Sequence, residues 1–442
     1  MAEIIPFKPV HYDGKHAGQL NRLITPPYDV ISRKEQEGFY QAHPLNIIRV
    51  VLGKQFLTDS AVDNRYTRAA ATLKEWLEKG VLVRAPRAGM TIYQMEFADP
   101  LGEYRIIDGL VALVKVDDYG PGKVLPHEKT YKGPKEDQLK LMHACLTNIT
   151  PIHALFSDSE QTVRREYKTF MSAKAEQETR DAQGTIHRTW TLNDEAVMAR
   201  IKAVIADRSI FIADGHHRYE TSLAFRDEVR ASGRTDLGEW PDYVMMYLTA
   251  MSHPGLTILP AHRMITKLGD VEVETVLEKL RPFFNIEEFP FSPESRRDSE
   301  VALVKRVASL SQKSGNYGMA VRGEPCFHLL RLKSFQCVDQ LIDPSVPSSL
   351  RDLDVTILRE IVMGVGFGID THNAEGLIEY TPSATDAIQR VQRGEIQVGF
   401  VLNPTRVEQV RAAAELGHKL PHKSTYFYPK LSSGLVLNVF AS

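Results

Sequence analysis

Short apolar runs alternate with amphipathic stretches along the whole chain, and their periods assign most of the elements. Met90–Phe97 and Tyr104–Val116 read as a strand pair on either side of the turn Asp99-Pro100-Leu101-Gly102-Glu103, which predicts a β-hairpin. Tyr243–Ala250 is almost wholly apolar and predicts a buried strand. Asn148–Phe156 and Ser209–Ala213 read as strands too, as does Asn46–Leu52, interrupted by Arg49. Within 60–79, Ala69, Ala70, Leu73, Trp76 and Leu77 share one helical face that Lys79-Gly80 ends. Helices are predicted around 135–145 and over Asp194–Ala206, with a charge-rich helical segment from Asp158 to about Arg180 and a strand from Thr185 to Leu192. An antiparallel hairpin among these elements argues against a simple doubly wound sheet and gives a mixed α/β (α+β) class with a mixed sheet.

From residue 264 the texture changes: helix 271–281, strand 283–289, helix 299–311 and a strand pair at 317–322 and 326–332 alternate regularly. Asp354–Val362 reads as helix, and Ile378–Thr381 opens a βαβα run through helix 384–393, strand Val398–Leu402 and helix 405–416. Gly434–Phe440 reads as a closing strand. The expected organisation is a core domain over 1–265, a smaller appended α/β subdomain over 266–350, and a C-terminal α/β segment over 351–442 packing back on the core.

Composition narrows the class. A chain of 442 residues, 43% hydrophobic and 25% charged, is that of a globular protein with two or three domains. A formal charge of −2 and the lack of a basic stripe argue against nucleic acid and membrane surfaces as partners. Cys145, Cys326 and Cys337 have neither metal nor redox spacing, which suits a reducing compartment. The first residues lack a basic-then-apolar leader, and no apolar run reaches membrane-spanning length, so a cytoplasmic location is expected.

Chemistry concentrates at Asp214-Gly215-His216-His217-Arg218-Tyr219-Glu220. The preceding apolar run is a strand; Asp214 is a good N-cap, Gly215 permits a sharp turn, and Leu223, Ala224, Phe225 and Val229 continue at helical spacing. The free N–H groups and dipole of a helix start attract anions, and two histidines with an arginine reinforce that attraction. The same residues also fit an ordinary structural turn with solvated histidines. Other candidates lie elsewhere: Tyr28 and Asp29 on the rigid loop after Pro26-Pro27, His127 and Glu128 in the polar loop 126–134, His262-Arg263, and Lys423, Ser424 and Thr425 with Lys430 nearby. Tyr426 and Tyr428 read best as a packed terminal strand.

Taken in order, Thr25-Pro26-Pro27-Tyr28-Asp29, Pro126-His127-Glu128, Ala213–Glu220, Leu259-Pro260-Ala261-His262-Arg263 and Lys423–Lys430 resemble the bacterial domain-of-unknown-function family 1015 over nearly the whole chain. More distantly, Gly215–Glu220 is similar to the nucleotide-binding turn of the ParB/sulfiredoxin superfamily, which includes free serine kinases; sulfiredoxin carries Gly-Cys-His-Arg-Tyr-Glu there. That resemblance implies a ParB/sulfiredoxin-like nucleotide-binding core. His216 stands where sulfiredoxin has its cysteine, which removes the sulfur nucleophile and leaves phosphate binding and phosphoryl transfer.

The leading expectation is phosphoryl transfer from ATP or ADP, with Mg²⁺, to a small hydroxylated metabolite, free serine first among acceptors. Gly215, His216, His217, Arg218, Lys423, Ser424 and Thr425 would bind phosphate. Glu128 would be the general base with His127 beside it, Asp214 would serve as an alternative base or Mg²⁺ ligand, and Tyr28, Asp29, Glu220, His262 and Arg263 would meet substrate. Two other classes stay open. His216 and Glu220, four apart, could with Asp214 and His127 serve a metal-dependent hydrolase, or the turn could serve a non-catalytic nucleotide sensor. The oligomeric state is left open.

Overall fold

The computed structural model describes residues 2–100, 102–118, 124–128, 132–269, 271–370, 376–421 and 423–440. Leu101, Lys129-Thr130-Tyr131 of the polar loop, and His422 lie outside the described residues. The chain divides into two compact units, one of Met1–Pro126, Thr130–Thr257 and Tyr428–Ser442, the other of His127–Lys129 and Ile258–Phe427.

The first unit is built on a nine-stranded mixed sheet. Its strands are β1 (Ile4–Ile5), β2 (Met90–Ala98), β3 (Tyr104–Lys115), β4 (Val124–Leu125), β5 (Ile152–Phe156), β6 (Gln177–Arg180), β7 (Ile186–Leu192), β8 (Ile210–Asp214) and β9 (Tyr243–Ala250). The order is β4-β8-β5-β9-β3-β2-β7-β6, with β1 added on β3. β2 and β3 form the expected antiparallel hairpin, with Tyr93 opposite Gly109. β9 runs parallel to β5 and antiparallel to β3, and β8 runs parallel to β4, so two parallel pairs sit within a mostly antiparallel framework.

The period of two decides which residues go where. Ile92, Leu110, Ala112, Ile152, Ala154, Ile210, Ile212 and Met246 share one core with helix residues Ile201, Ile205 and Tyr219. Their sequence neighbours Tyr93, Val111, Leu113, Met245 and Tyr247 share another with Leu431, Leu435 and Val436. Both faces are thus covered, which is why β9 is apolar throughout and every one of its residues is buried.

Helices Arg33–Ala42 (α1), Ile48–Val51 (α2), Arg65–Glu78 (α3), Lys132–Cys145 (α4), Thr162–Lys168 (α5), Glu195–Ala206 (α6) and His216–Ser232 (α7) complete this unit. Two expectations fail here. Asn46–Leu52 is not a strand: the Asn46 carboxamide accepts the Ile48 N–H at 2.9 Å and bends the chain into α2. Asp158–Arg180 is not one helical segment, because α5 ends at Lys168 and β6 follows. The Asp181 carboxylate accepts N–H bonds from Gln183 and Thr185, a turn that pairs β6 with β7. The closing strand shrinks to Asn438–Val439, paired with Thr147–Asn148.

The second unit holds a six-stranded sheet of β10 (His262–Ile265), β11 (Phe284–Pro290), β12 (Asn316–Val321), β13 (Cys326–Leu332), β14 (Ile378–Thr381) and β15 (Val398–Val401). Their order is β11-β13-β12-β15-β10-β14, so strands from 284–332 and from 378–401 share one sheet. Helices Val273–Leu280 (α8), Arg296–Ser309 (α9), Ala384–Gln392 (α10) and Val407–Glu415 (α11) pack on it. The helix begun at Asp354–Ile357 passes into a π-helix over Leu358–Gly366.

Candidate functional site: the Asp214–Arg218 turn

The strand β8 runs on to Asp214, which pairs with His153 of β5 after an irregularity between Ile212 and Asp214. Gly215, at φ 97° and ψ 29°, then leaves the strand and occupies the cap position of the 17-residue helix α7. The cap position expected of Asp214 is thus held by Gly215. Asp214 ends the strand, and its carboxylate accepts from Arg218 Nη2 at 2.8 Å and from the ammonium of Lys430. The Arg218 Nη1 donates to the carbonyl of Pro151. Gly215 is required twice over. Its φ lies in the left-handed region, and a Cβ there would stand 2.8 Å from the Arg218 guanidinium carbon.

Three segments meet at this turn. Thr25 and Ser433 exchange backbone hydrogen bonds, and the Ser433 hydroxyl donates to Pro26 O at 3.4 Å and lies 2.6 Å from Thr150 Oγ1. The loop before Tyr28, the loop before β5 and the segment that carries Lys430 are thereby stitched to one another. Tyr28 opens a short 3-10 turn after Pro27, half-buried, while Asp29 is exposed.

Burial alone would push the Asp214 carboxyl up, but Lys430 and then Arg218 more than offset it and hold the group well below the usual carboxylate range. Beside it, burial pushes the His153 imidazole down to about 3, so that ring is neutral at physiological pH. Burial, with the charge of Asp29, raises the Tyr28 hydroxyl well above its ordinary value, which keeps it a hydrogen-bond donor. Two cations face one carboxylate, so the cluster keeps a net positive charge at the positive end of α7. Lys430 lay among the weaker sequence candidates. Its only signals were its charge and its place after an aromatic-proline pair.

The rest of the motif divides its roles. His216 is buried and His217 half-buried; Tyr219 packs in the core and its hydroxyl donates to Asp117 O at 2.7 Å. Glu220 pairs with Lys135 at 2.7 Å. Behind Arg218 lies a cavity of about 40 Å³ on which the buried Thr221 hydroxyl borders without a protein partner.

The second unit holds the other predicted residues. His127 is buried, its Nε2 3.0 Å from Thr425 Oγ1, and the Glu128 carboxylate accepts the Lys423 N–H at 3.2 Å. Lys423 adopts φ 54°, and the Ser424 carbonyl accepts from the Thr405 hydroxyl at 2.7 Å. His127, Glu128, Lys423 and Thr425 are therefore neighbours, a proximity that their separate sequence motifs do not show. His262 and Arg263 lie inside the sheet on β10. Nδ1 of His262 accepts the Leu402 N–H at 3.0 Å, and Nη1 of Arg263 donates to Val355 O at 3.0 Å. Burial pushes His262 down to about 3 and also lowers Arg263.

Among the described residues no group of three or more His, Cys, Asp and Glu side chains could hold a metal ion, and Glu220 is engaged by Lys135. No helix among them is long and apolar enough to cross a membrane.

Fold and site together define a mixed α/β protein with a cationic strand–turn–helix. The chain belongs to the family described as "Protein of unknown function (DUF1015)", which it matches over residues 4–356. No curated protein matches it by sequence. Among solved structures it is similar to a free serine kinase in complex with AMP, at 13% identity and TM-score 0.33, over 74% of this chain and 91% of that one. A conserved hypothetical protein from Pyrococcus furiosus matches at 12% identity and TM-score 0.32, over 73% and 93% of the two chains. SbnI with a C-terminal truncation, from Staphylococcus aureus, matches at 13% and TM-score 0.34, over 74% and 82%. Likeness of this degree assigns no function.

Proposed function

We propose that the Asp214–Arg218 turn binds the phosphates of a nucleoside di- or triphosphate, in a ParB/sulfiredoxin-like core, and that the protein transfers a phosphoryl group to a small hydroxylated metabolite, free serine first among candidates. The observation that carries this reading is the pair of cations on one half-buried carboxylate at the start of a long helix. Asp214 holds Arg218 and Lys430 in place and cancels one of their charges, so the cluster keeps a net positive charge that attracts phosphate oxygens. His216 and His217 flank the same helix start.

The fit of Mg²⁺ is constrained by the same geometry. Both Asp214 oxygens already accept from cations, so Asp214 is a poor ligand for a second cationic centre and Mg²⁺ would travel on the nucleotide phosphates, neutralising them. A carboxyl held this low is also a weak proton acceptor, which moves Asp214 from base to positioning residue and leaves Glu128 as the proposed general base.

The test is direct. Purified protein is incubated with ATP or ADP, Mg²⁺ and a panel of hydroxylated amino acids, and phosphorus NMR follows nucleotide conversion. A new phosphomonoester signal supports the reading; tight nucleotide binding with no conversion under any acceptor replaces it with the sensor. Glu128→Gln should lower turnover about 100-fold with nucleotide affinity unchanged. Full turnover in that variant removes Glu128 as the base.

A further inference from the structure

A cleft of about 820 Å³ opens in the first unit with Tyr28 on its wall. Tyr28 follows directly on the Thr25-Pro26-Pro27 segment that backbone hydrogen bonds join to Ser433, three residues from Lys430. The cleft therefore begins on the same stitched segment as the cationic turn. We propose that it receives the nucleoside half of the nucleotide whose phosphates the turn holds; this rests on the phosphate reading given above.

The lining decides the class of ligand. Ile31, Leu52 and Phe56 supply apolar surface, and the exposed Gln55 offers an amide donor and acceptor suited to a base edge. The cations of the cleft are mostly satisfied within the protein: Lys54 pairs with Glu37 at 2.5 Å, and Arg65 pairs with Asp137, leaving the exposed Arg33 as the exception. A second phosphate site would not be neutralised in this way, whereas an uncharged, flat, polar-edged group fits. The volume lies within the roughly 300–1,000 Å³ of cofactor-sized pockets and far exceeds what a three-carbon acceptor fills. One side chain at the rim points the same way. Phe56 is 52% exposed, a large aromatic surface that no core explains, with the Arg68 guanidinium 4.8 Å from its ring centre. An aromatic ring left open at the edge of a cleft is a stacking surface.

The experiment compares ATP with inorganic tripolyphosphate on the full chain, by calorimetry, for the wild type, Phe56→Ala and Arg218→Ala. Phe56 is a surface residue, so its replacement leaves the fold intact. The expected result is that Phe56→Ala weakens ATP about tenfold and leaves tripolyphosphate unchanged, while Arg218→Ala weakens both. Hydrogen exchange at residues 52–57 should slow on adding ATP and not on adding tripolyphosphate. If ATP and tripolyphosphate bind alike, with Phe56→Ala neutral and no slowing at 52–57, the nucleoside assignment is overturned and the phosphate site stands. If neither compound binds, the phosphate reading itself fails and takes the nucleoside assignment with it.

Discussion

His217-Arg218 and His262-Arg263 are the same dipeptide, each with a buried arginine, and the two arginines live under different rules. Arg218 sits one turn into a helix, where its side chain reaches back to a carboxylate that also holds Lys430. Arg263 sits within a sheet, between β14 and β15, donating to the Val355 carbonyl and hydrogen-bonded to Tyr380, whose ring lies 5.9 Å away. A helix start gathers charges around an opening; a strand interior isolates them. Identical residues thus give an anion-binding candidate in one unit and an internal packing element in the other.

That contrast predicts unequal costs. The largest effect belongs to Arg218→Ala: it removes one of the two cations on Asp214 while Lys430 stays, a loss of about 1.5–3 kcal/mol for a charged hydrogen bond, and nucleotide affinity should fall at least 100-fold in titration calorimetry. Retained affinity would show that the turn is not the phosphate site. Next comes Gly215→Ala. The added methyl must both accept a left-handed backbone and displace the Arg218 guanidinium, so about 1–3 kcal/mol of stability and roughly tenfold in affinity should go together. Loss of stability with affinity intact would separate the glycine from the site.

Acid should distinguish the units by a smaller margin. Burial holds His153 and His262 at about 3 against an ordinary 6.5, so between these values the unfolded chain binds protons that the folded chain refuses. Stability therefore rises with pH over that window and is lost as pH falls below about 6.5, by about 1.4 kcal/mol per unit for each histidine. In the second unit Asp354 opposes this trend. Burial lifts its carboxyl to about 6, so its contribution is full below its unfolded value and is lost as pH rises through 6. In the first unit Asp214 and Asp108 stay ionised throughout, the latter because His253 and Arg164 more than offset its burial. From pH 7 to 5, hydrogen-exchange protection should drop further in β5 than in β10; an equal or reversed drop would contradict this balance.

The smallest effect is expected of Arg263→Met. Replacing a buried charge that pairs with no carboxylate among the described residues with an apolar chain of similar reach should leave stability equal or higher and nucleotide affinity within twofold. A clear loss of affinity would return Arg263 to the binding machinery and erase the contrast.

Much of the fold could be read in the chain because periodicity survives burial. The hairpin β2–β3 and the strand β9 match the apolar pattern to within a residue or so at each end. Asn46–Leu52 misled because a short apolar run fits a buried helix as well as a strand, and a single Asn46 side-chain bond decided it. At the site, Gly215 and Arg218 were legible as contiguous motif residues. The true partners of Asp214 were not: Lys430 lies 216 positions away, and the hydrogen bonds of Ser433 with Thr25 and Thr150 bring its segment back.

That long separation orders events during synthesis. The ribosome releases Asp214, Gly215 and Arg218 many seconds before Lys430, at about 5–20 residues per second. Until then the nascent polypeptide carries the turn with half of its countercharge missing. A product cut short of residue 430 would keep the whole Gly-His-His-Arg motif and still lack the ammonium that completes it.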